Sequence, residues 1–232
     1  MKIQALLFLS ALILLPSCKD DEEGGLTSYI TCPDDHHPHL IDLGLPSGTK
    51  WSCCNIGATT PEQYGSYYAW GETVEKTEYG AENYKYCTWE DKNGNGKYDL
   101  NDGDPLFQQI GDDIAGTDYD VARVKWGETW KMPTLEQINE LLRNCTWSWT
   151  PQNGINGVRI VGRNRGTIFL PAAYYYREDR MPKQGLSGFY WSSNPYLDYD
   201  ASYLMFDSIS WDSRHYHRSF RYYGYPVRAV SK

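Results

Sequence analysis

The first apolar stretch of the chain is Ala5 to Leu15, broken only by Ser10. It falls short of the roughly 20 apolar residues that a membrane-spanning helix needs. Apolar positions resume at Leu40. The segment Leu40-Ile41-Asp42-Leu43-Gly44-Leu45-Pro46-Ser47-Gly48-Thr49-Lys50-Trp51 reads as two short strands around a Pro/Gly turn. Pro61 to Trp70 is expected to hold a short helix, and Asp120 to Lys125 another, just before Trp126-Gly127. The clearest helix is Leu135 to Asn144. Leu135, Ile138, Leu141 and Leu142 fall on one face, Thr134 is a good N-cap, and Gln137 completes a capping box. Beyond Trp147 the pattern turns to strands, expected at Gly157–Val161, Thr167–Leu170, Phe189–Ser193, Ser202–Phe206 and Pro226–Val230. Leu204, Phe206, Ile209 and Phe220 read as core-facing. Short helices in the first half and short strands in the second predict an α+β domain.

The N-terminal run follows Lys2 and ends in Leu15-Pro16-Ser17-Cys18. That pattern is a signal peptide closing on what resembles a bacterial lipobox. The resemblance implies cleavage before Cys18 and acylation of its thiol by palmitate-like chains. Each buried methylene of such a chain contributes about 0.8 kcal/mol of anchorage. Lys19-Asp20-Asp21-Glu22-Glu23-Gly24-Gly25 cannot bury a core and reads as a solvated linker. A lysine followed by acids also resembles the surface-export signal of Bacteroidota lipoproteins. The expected layout is a signal peptide over 1–17, lipidated Cys18 with a flexible tether over 18–39, and one folded domain over 40–232. The expected location is the outer membrane, facing the exterior and held by lipid alone.

Formal charge is −8, with 22 basic and 30 acidic side chains. Removing residues 1–17 takes away Lys2 and no acid, leaving about 21 against 30, or −9. An acidic domain without a basic stripe excludes nucleic acid as a partner class. Cys18 aside, Cys32, Cys53, Cys54, Cys87 and Cys145 are an odd set, so at least one is unpaired or pairs between chains. Their spacing fits no zinc pattern, and their connectivity stays open. His36, His37 and His39 read as loop histidines rather than a metal cluster.

A series of words then appears in order. These are Asp42–Trp51, Cys54-Asn55-Ile56-Gly57-Ala58, Tyr68-Ala69-Trp70-Gly71-Glu72 and Tyr119-Asp120-Val121-Ala122-Arg123. They continue with Trp130-Lys131-Met132-Pro133-Thr134, Asn144-Cys145-Thr146-Trp147, Phe169-Leu170-Pro171-Ala172-Ala173, Tyr190-Trp191-Ser192-Ser193 and Val227-Arg228. Over residues 40–230 this resembles the "major paralogous domain" (FISUMP-type) lipoproteins. The resemblance implies a C-type-lectin-like fold, shared with formylglycine-generating enzymes. That fold is a single α+β domain in which two helices lie beside a small twisted antiparallel sheet and the terminal strands pair. The shared words are mostly Trp, Gly and Pro, which suit cores and turns rather than an active site.

A segment of about 88–115 departs from the family length and carries a calcium-loop pattern. Asp91, Asn93, Asn95, Lys97, Asp99 and Asp102 fall at loop positions 1, 3, 5, 7, 9 and 12, with Lys97 offering its carbonyl and Gly96 at the sharp turn. Calcium is a hard cation that takes six to eight oxygens, so the expectation is a structural Ca2+ that staples this insertion. Asp102 stands where a bidentate Glu is usual. No Gly-x-Ser-x-Gly, HExxH or phosphate loop is present, and no catalytic residue or catalytic cofactor is assigned. The cysteine pair of formylglycine-generating enzymes does not map onto this chain, nor does the calcium-dependent sugar signature of true C-type lectins.

Ser187 to Tyr225 has another composition, with eight Tyr and eight Ser in 39 residues. Tyr gives large rigid contact area at low entropy cost, and Ser and Asp give adaptable polar contacts. The expected ligand-binding residues are Tyr196, Asp198, Tyr199, Asp200, Trp211, Asp212, Arg214, His215, Tyr216, His217, Arg218, Arg221, Tyr222 and Tyr223. The segment also resembles the variable region of proteins diversified by retroelements, where adenine-directed mutagenesis of asparagine codons yields Tyr, Asp, His, Ser, Arg and Gly. Asp207-Ser208-Ile209 resembles an O-glycosylation acceptor. The expected function is therefore a surface lipoprotein that binds an extracellular protein or glycan. The alternatives are a pilus or surface-layer assembly subunit and, least favoured, a formylglycine-generating type of enzyme.

Overall fold

A computed structural model describes residue 36 and residues 38–96, 103–127, 129–178, 184–209 and 215–232. The signal peptide, Cys18, Cys32 and the tether up to residue 35 lie outside the described residues. So do Lys97, Asp99, Asp102, Trp211, Asp212 and Arg214, and the side chain of His215.

Eleven strands in four small antiparallel sheets dominate the described residues, and only two α-helices accompany them. The molecule is mostly β, which overturns the expected α+β, C-type-lectin-like arrangement. The helix expected over Pro61–Trp70 accounts for part of the difference. Gly65, at φ +72°, breaks it, and Tyr67, Tyr68, Ala69 and Trp70 are buried one after another, as neither a helix face nor a half-exposed strand would be. Tyr68 instead bridges Tyr225.

β1 (Leu40–Asp42) pairs with β2 (Lys50–Ser52), and β2 with β11 (Val230–Ser231), so the two ends of the domain meet in one sheet. β3 (Cys87–Thr88) pairs with β4 (Leu106–Phe107) across the expected insertion. The latter half of that segment belongs to the core, since Ile110 and Ile114 are buried. β5 (Thr146–Trp149), β6 (Gly157–Val161) and β7 (Thr167–Pro171) form a meander. The β6–β7 turn presses on the end of β1, where a Cβ on Gly166 would stand 1.8 Å from the Asp42 carbonyl oxygen. β8 (Ser187–Tyr196), β9 (Asp200–Asp207) and β10 (His215–Phe220) form the third sheet, with β9 in the centre.

Two short helices cap the sheets. α1 (Val121–Trp126) starts at Asp120, whose buried carboxylate accepts the backbone N–H groups of Ala122, Met132 and Gly116 at 2.8, 3.0 and 2.7 Å. Burial raises the Asp120 carboxyl pKa, and these donors oppose the rise. α2 (Leu135–Asn144) has the bounds and the Thr134/Gln137 capping box expected from its pattern. Its Ile138 and Leu141 pack into one of two large apolar clusters.

Alternation along β8 and β9 sorts residues between those clusters. Tyr190, Leu204 and Phe206 join α2 and the meander. Phe189, Trp191 and Tyr203 face the other way, into a cluster built mainly of tyrosine and tryptophan. In that cluster the polar ends of the rings tie loops to strand backbones. Trp191 Nε1 donates to the Tyr68 carbonyl at 2.8 Å, Trp70 Nε1 to Ser192 at 2.9 Å, and Tyr67 Oη to Ala173 at 2.6 Å. A buried ring of this kind contributes both apolar area and a satisfied hydrogen bond. Arg228, 1% exposed, joins three segments by donating to Asn55 Oδ1, the Cys53 carbonyl and the Phe169 carbonyl at 2.8, 2.9 and 2.8 Å.

Candidate functional site: the C-terminal aromatic face

The β8–β9 hairpin and β10 bring the two halves of the expected binding segment together. Register pairs Tyr196 with Asp200 and Asp200 with Phe220, and it pairs Arg218 with Ser202. Tyr196 and Arg218 therefore project on the same face of the sheet, and the guanidinium carbon of Arg218 lies 4.5 Å from the Tyr196 ring centre. That distance is a cation–π contact.

From the hairpin tip a chain of ring contacts continues. Tyr199 lies 6.0 Å from Phe220, Phe220 stacks on Tyr222 at 5.1 Å, and Tyr222 meets Tyr223 edge-on at 5.0 Å. Tyr223 then reaches Tyr175 at 5.7 Å, and Tyr175 stacks on Tyr174 at 4.8 Å. Arg177 lies 5.8 Å from the Tyr223 ring. The sequence reading missed Tyr174, Tyr175 and Arg177, although the run Tyr174-Tyr175-Tyr176 was visible. It also took Phe220 for a core residue, and Phe220 is 40% exposed. Ile209, likewise read as core, is exposed just past the end of β9.

Arg221 is not on the surface at all. It is fully buried, and it donates to the carbonyls of Leu197, Asp200 and Gln108 at 2.9, 3.2 and 3.3 Å while lying 4.7 Å from the Trp70 ring. Burial lowers its pKa, and Tyr84, Asp198 and Asp200 oppose that shift. Its role is to pin the hairpin tip to the segment running from Phe107 to Ile114. Asp198 accepts from Gln109 Nε2 at 2.8 Å in the same seam.

Three of the eight tyrosines in Ser187–Tyr225 also belong to the framework. Tyr190, Tyr203 and Tyr225 are buried, and burial pushes the Tyr203 phenol up to about 12. His217 stacks on Tyr203 at 5.7 Å and is half-buried. What remains toward solvent is Tyr196, Asp198, Tyr199, Tyr216 and Arg218, with Asp200, Tyr222 and Tyr223 half-buried. Burial raises the Asp200 carboxyl pKa against the pull of Arg218 and Arg221.

The described part of the expected calcium loop is a tight turn cluster. Asp91 Oδ1 and Oδ2 accept from the backbone of Asn95 and Gly96 at 3.0 and 2.7 Å, and Asn93 Oδ1 accepts from Asn95 at 3.0 Å. Gly94 and Gly96 both have positive φ, +72° and +74°. Among the described residues no group of three His, Cys, Asp or Glu side chains could hold a metal ion.

Cys53 Sγ lies 3.7 Å from Cys54 Sγ and 3.6 Å from His39 Nδ1, and both cysteines pack with Ala58 in a small buried cluster. Cys87 and Cys145 are half-buried thiols, each pushed up to about 11 by burial. Thiols so raised are protonated at neutral pH, whereas a nucleophilic cysteine needs the thiolate. Compared with protein-family models, with curated proteins and with solved structures, the chain matches none.

Proposed function

We propose that this chain is an exported lipoprotein, anchored through Cys18 at the outer membrane, that binds an extracellular protein or glycan through its C-terminal aromatic face. One observation carries the reading. Pairing of β8, β9 and β10 puts exposed Tyr196, Tyr216, Arg218 and Phe220 on one face of that sheet, with exposed Tyr199 against Phe220 at the hairpin tip, whose backbone buried Arg221 pins. Rigid aromatic residues beside arginine, held on a preorganised backbone, are what binding hot spots are made of. The ordered Trp, Gly and Pro words support kinship with the major-paralogous-domain lipoproteins, and the linker after Cys18 supports surface export. The raised Cys87 and Cys145 thiols speak against those two side chains as nucleophiles. Exposed positions on the face are also proposed to vary among natural copies through a retroelement. The loop beginning at Asp91 is proposed to take a structural calcium ion, on the strength of its oxygen spacing.

The test is photo-crosslinking on intact cells. A photoreactive phenylalanine analogue at Tyr199 or Tyr216 is expected to give a discrete high-mass adduct, while the same group at Arg163, exposed in the β6–β7 turn, gives none. Equal or absent adducts from all three positions would contradict the reading.

A further inference from the structure

Consecutive side chains of an extended strand point to opposite faces. Cys53 and Cys54 depart from that rule, because the chain bends at both as it leaves β2. Their sulfurs come within 3.7 Å of each other, in a buried cluster with Ala58 that Ile41 and Trp126 help to cover. The backbone around them is fixed. Arg228 Nη1 donates to the Ser52 and Cys53 carbonyls at 3.1 and 2.9 Å, and Ser52 Oγ donates to the Cys54 carbonyl at 2.9 Å.

Each thiol also holds a neighbouring segment. His39 N–H donates to Cys53 Sγ at 3.2 Å, and His39 Nδ1 lies 3.6 Å from the same sulfur. Cys54 Sγ donates to the Ala58 carbonyl at 3.3 Å. His39 immediately precedes β1, so the Cys53 thiol helps to fix where the chain enters the domain. β1 is a three-residue edge strand, paired to β2 alone. Fraying of such an edge is the kind of local opening that lets a reagent reach a buried thiol.

We propose that Cys53 and Cys54 form a reversible dithiol–disulfide switch, open when it clamps His39 and closed when it releases it. The oxidant is an exchangeable disulfide. The His39 imidazole takes the Cys53 proton, and the thiolate attacks one sulfur of the oxidant and expels the other as a thiol. Cys54, losing its own proton, then attacks the Cys53 sulfur and expels the second thiol. Two protons and two electrons pass to the oxidant, and one S–S bond joins the cysteines. Consecutive Cα atoms stand about 3.8 Å apart, closer than the roughly 4.4–6.8 Å that disulfides usually span. The closed bond is therefore strained and easily reduced, which suits a switch rather than a permanent staple. Closure draws Cys53 Sγ from His39 N–H and consumes the thiol proton that Cys54 gives to Ala58.

The test equilibrates the full chain in oxidised or reduced glutathione, blocks thiols with N-ethylmaleimide under denaturing conditions, and maps tryptic peptides by mass spectrometry. Both cysteines fall in the single peptide 51–76. In oxidised buffer that peptide is expected unlabelled and lighter by two hydrogens. In reduced buffer it is expected to carry two labels. Cys54→Ser removes the second step, so Cys53 is expected to accumulate as a glutathione mixed disulfide. Amide exchange at His39 is expected to quicken severalfold on oxidation of the wild-type chain and to ignore the buffer in Cys53→Ser. Two labels in both buffers, or linkage of peptide 51–76 to a peptide bearing another cysteine, overturns the switch. A closed bond with unchanged His39 exchange overturns the release.

Discussion

Arg221 shows how one residue can be read two ways. In the sequence it sits among Arg218, Tyr222 and Tyr223 and looks like part of a binding surface. In the fold its guanidinium is sealed beneath that surface and satisfied by three carbonyls. Arg221→Met would leave those buried acceptors without a donor, at roughly 1–3 kcal/mol each before relaxation. Chemical denaturation is expected to show a loss of about 3 kcal/mol or more. The conservative Arg221→Lys should recover only part, since an ammonium cannot reach three diverging acceptors. Leu197→Gly is expected to do the opposite and stabilise by about 1 kcal/mol through relief of its positive φ, a difference the same denaturation curves would read. Nothing in the residue types separates these two roles. Burial decides them, and burial depends on segments such as Phe107–Ile114 that are distant in sequence.

At the level of elements, local signals were legible and long-range ones were not. α2 announces itself because its cap, its box and its apolar stripe all lie within eleven residues, Thr134 to Asn144. Thr134→Ala is expected to cost about 1 kcal/mol by loss of the Gln137 N–H acceptor. A larger loss in thermal melts would mean that the cap also holds the neighbouring Thr49 side chain, which Gln137 contacts at 3.2 Å. β10 went unassigned because its residues, His215-Tyr216-His217-Arg218-Ser219-Phe220, alternate polar with polar. Its strand nature comes from pairing with β9 rather than from its own pattern. Phe220 and Ile209 were misplaced for the related reason that alternation fixes which face a side chain takes but not whether anything covers that face. The loop at Asp91 is a separate matter at this scale. Calcium titration into the full chain is expected to release heat and raise the melting temperature, and Asp91→Ala should abolish both. A flat titration of the wild-type chain would leave the loop as a plain Asx/Gly turn cluster.

For the whole molecule, the composition that suggests a binding surface is shared with the framework. Tyrosines of the same segment line the core as Tyr190, Tyr203 and Tyr225 and the surface as Tyr196, Tyr199 and Tyr216. The α+β expectation failed at this scale too. Two of the expected short helices form, as α1 and α2, but over Pro61–Trp70 the chain follows turns whose aromatic residues plug a core completed by β8, β9 and the segment around Tyr225. Among the described residues no helix is long and apolar enough to cross a membrane. The proposed attachment is through Cys18, on the strength of the lipobox-like Leu15-Pro16-Ser17-Cys18. Cys18→Ser is expected to abolish incorporation of labelled palmitate and to move the protein from the membrane fraction to the medium. Retained label would contradict the anchor.

The central claim is a division of labour, with exposed residues of the hairpin tip and β10 chosen for a partner and the buried ones beneath them chosen for the fold. Sequencing this locus and its neighbourhood across many isolates tests it most directly. The account predicts that substitutions concentrate at positions 196–199, 216, 218 and 220, while Arg221, Tyr225 and Arg228 stay fixed. It also predicts a template copy and a reverse transcriptase nearby. Substitutions spread evenly over all exposed positions of the domain, or falling on Arg221 and Tyr225 as often as on Tyr199 and Tyr216, would contradict it.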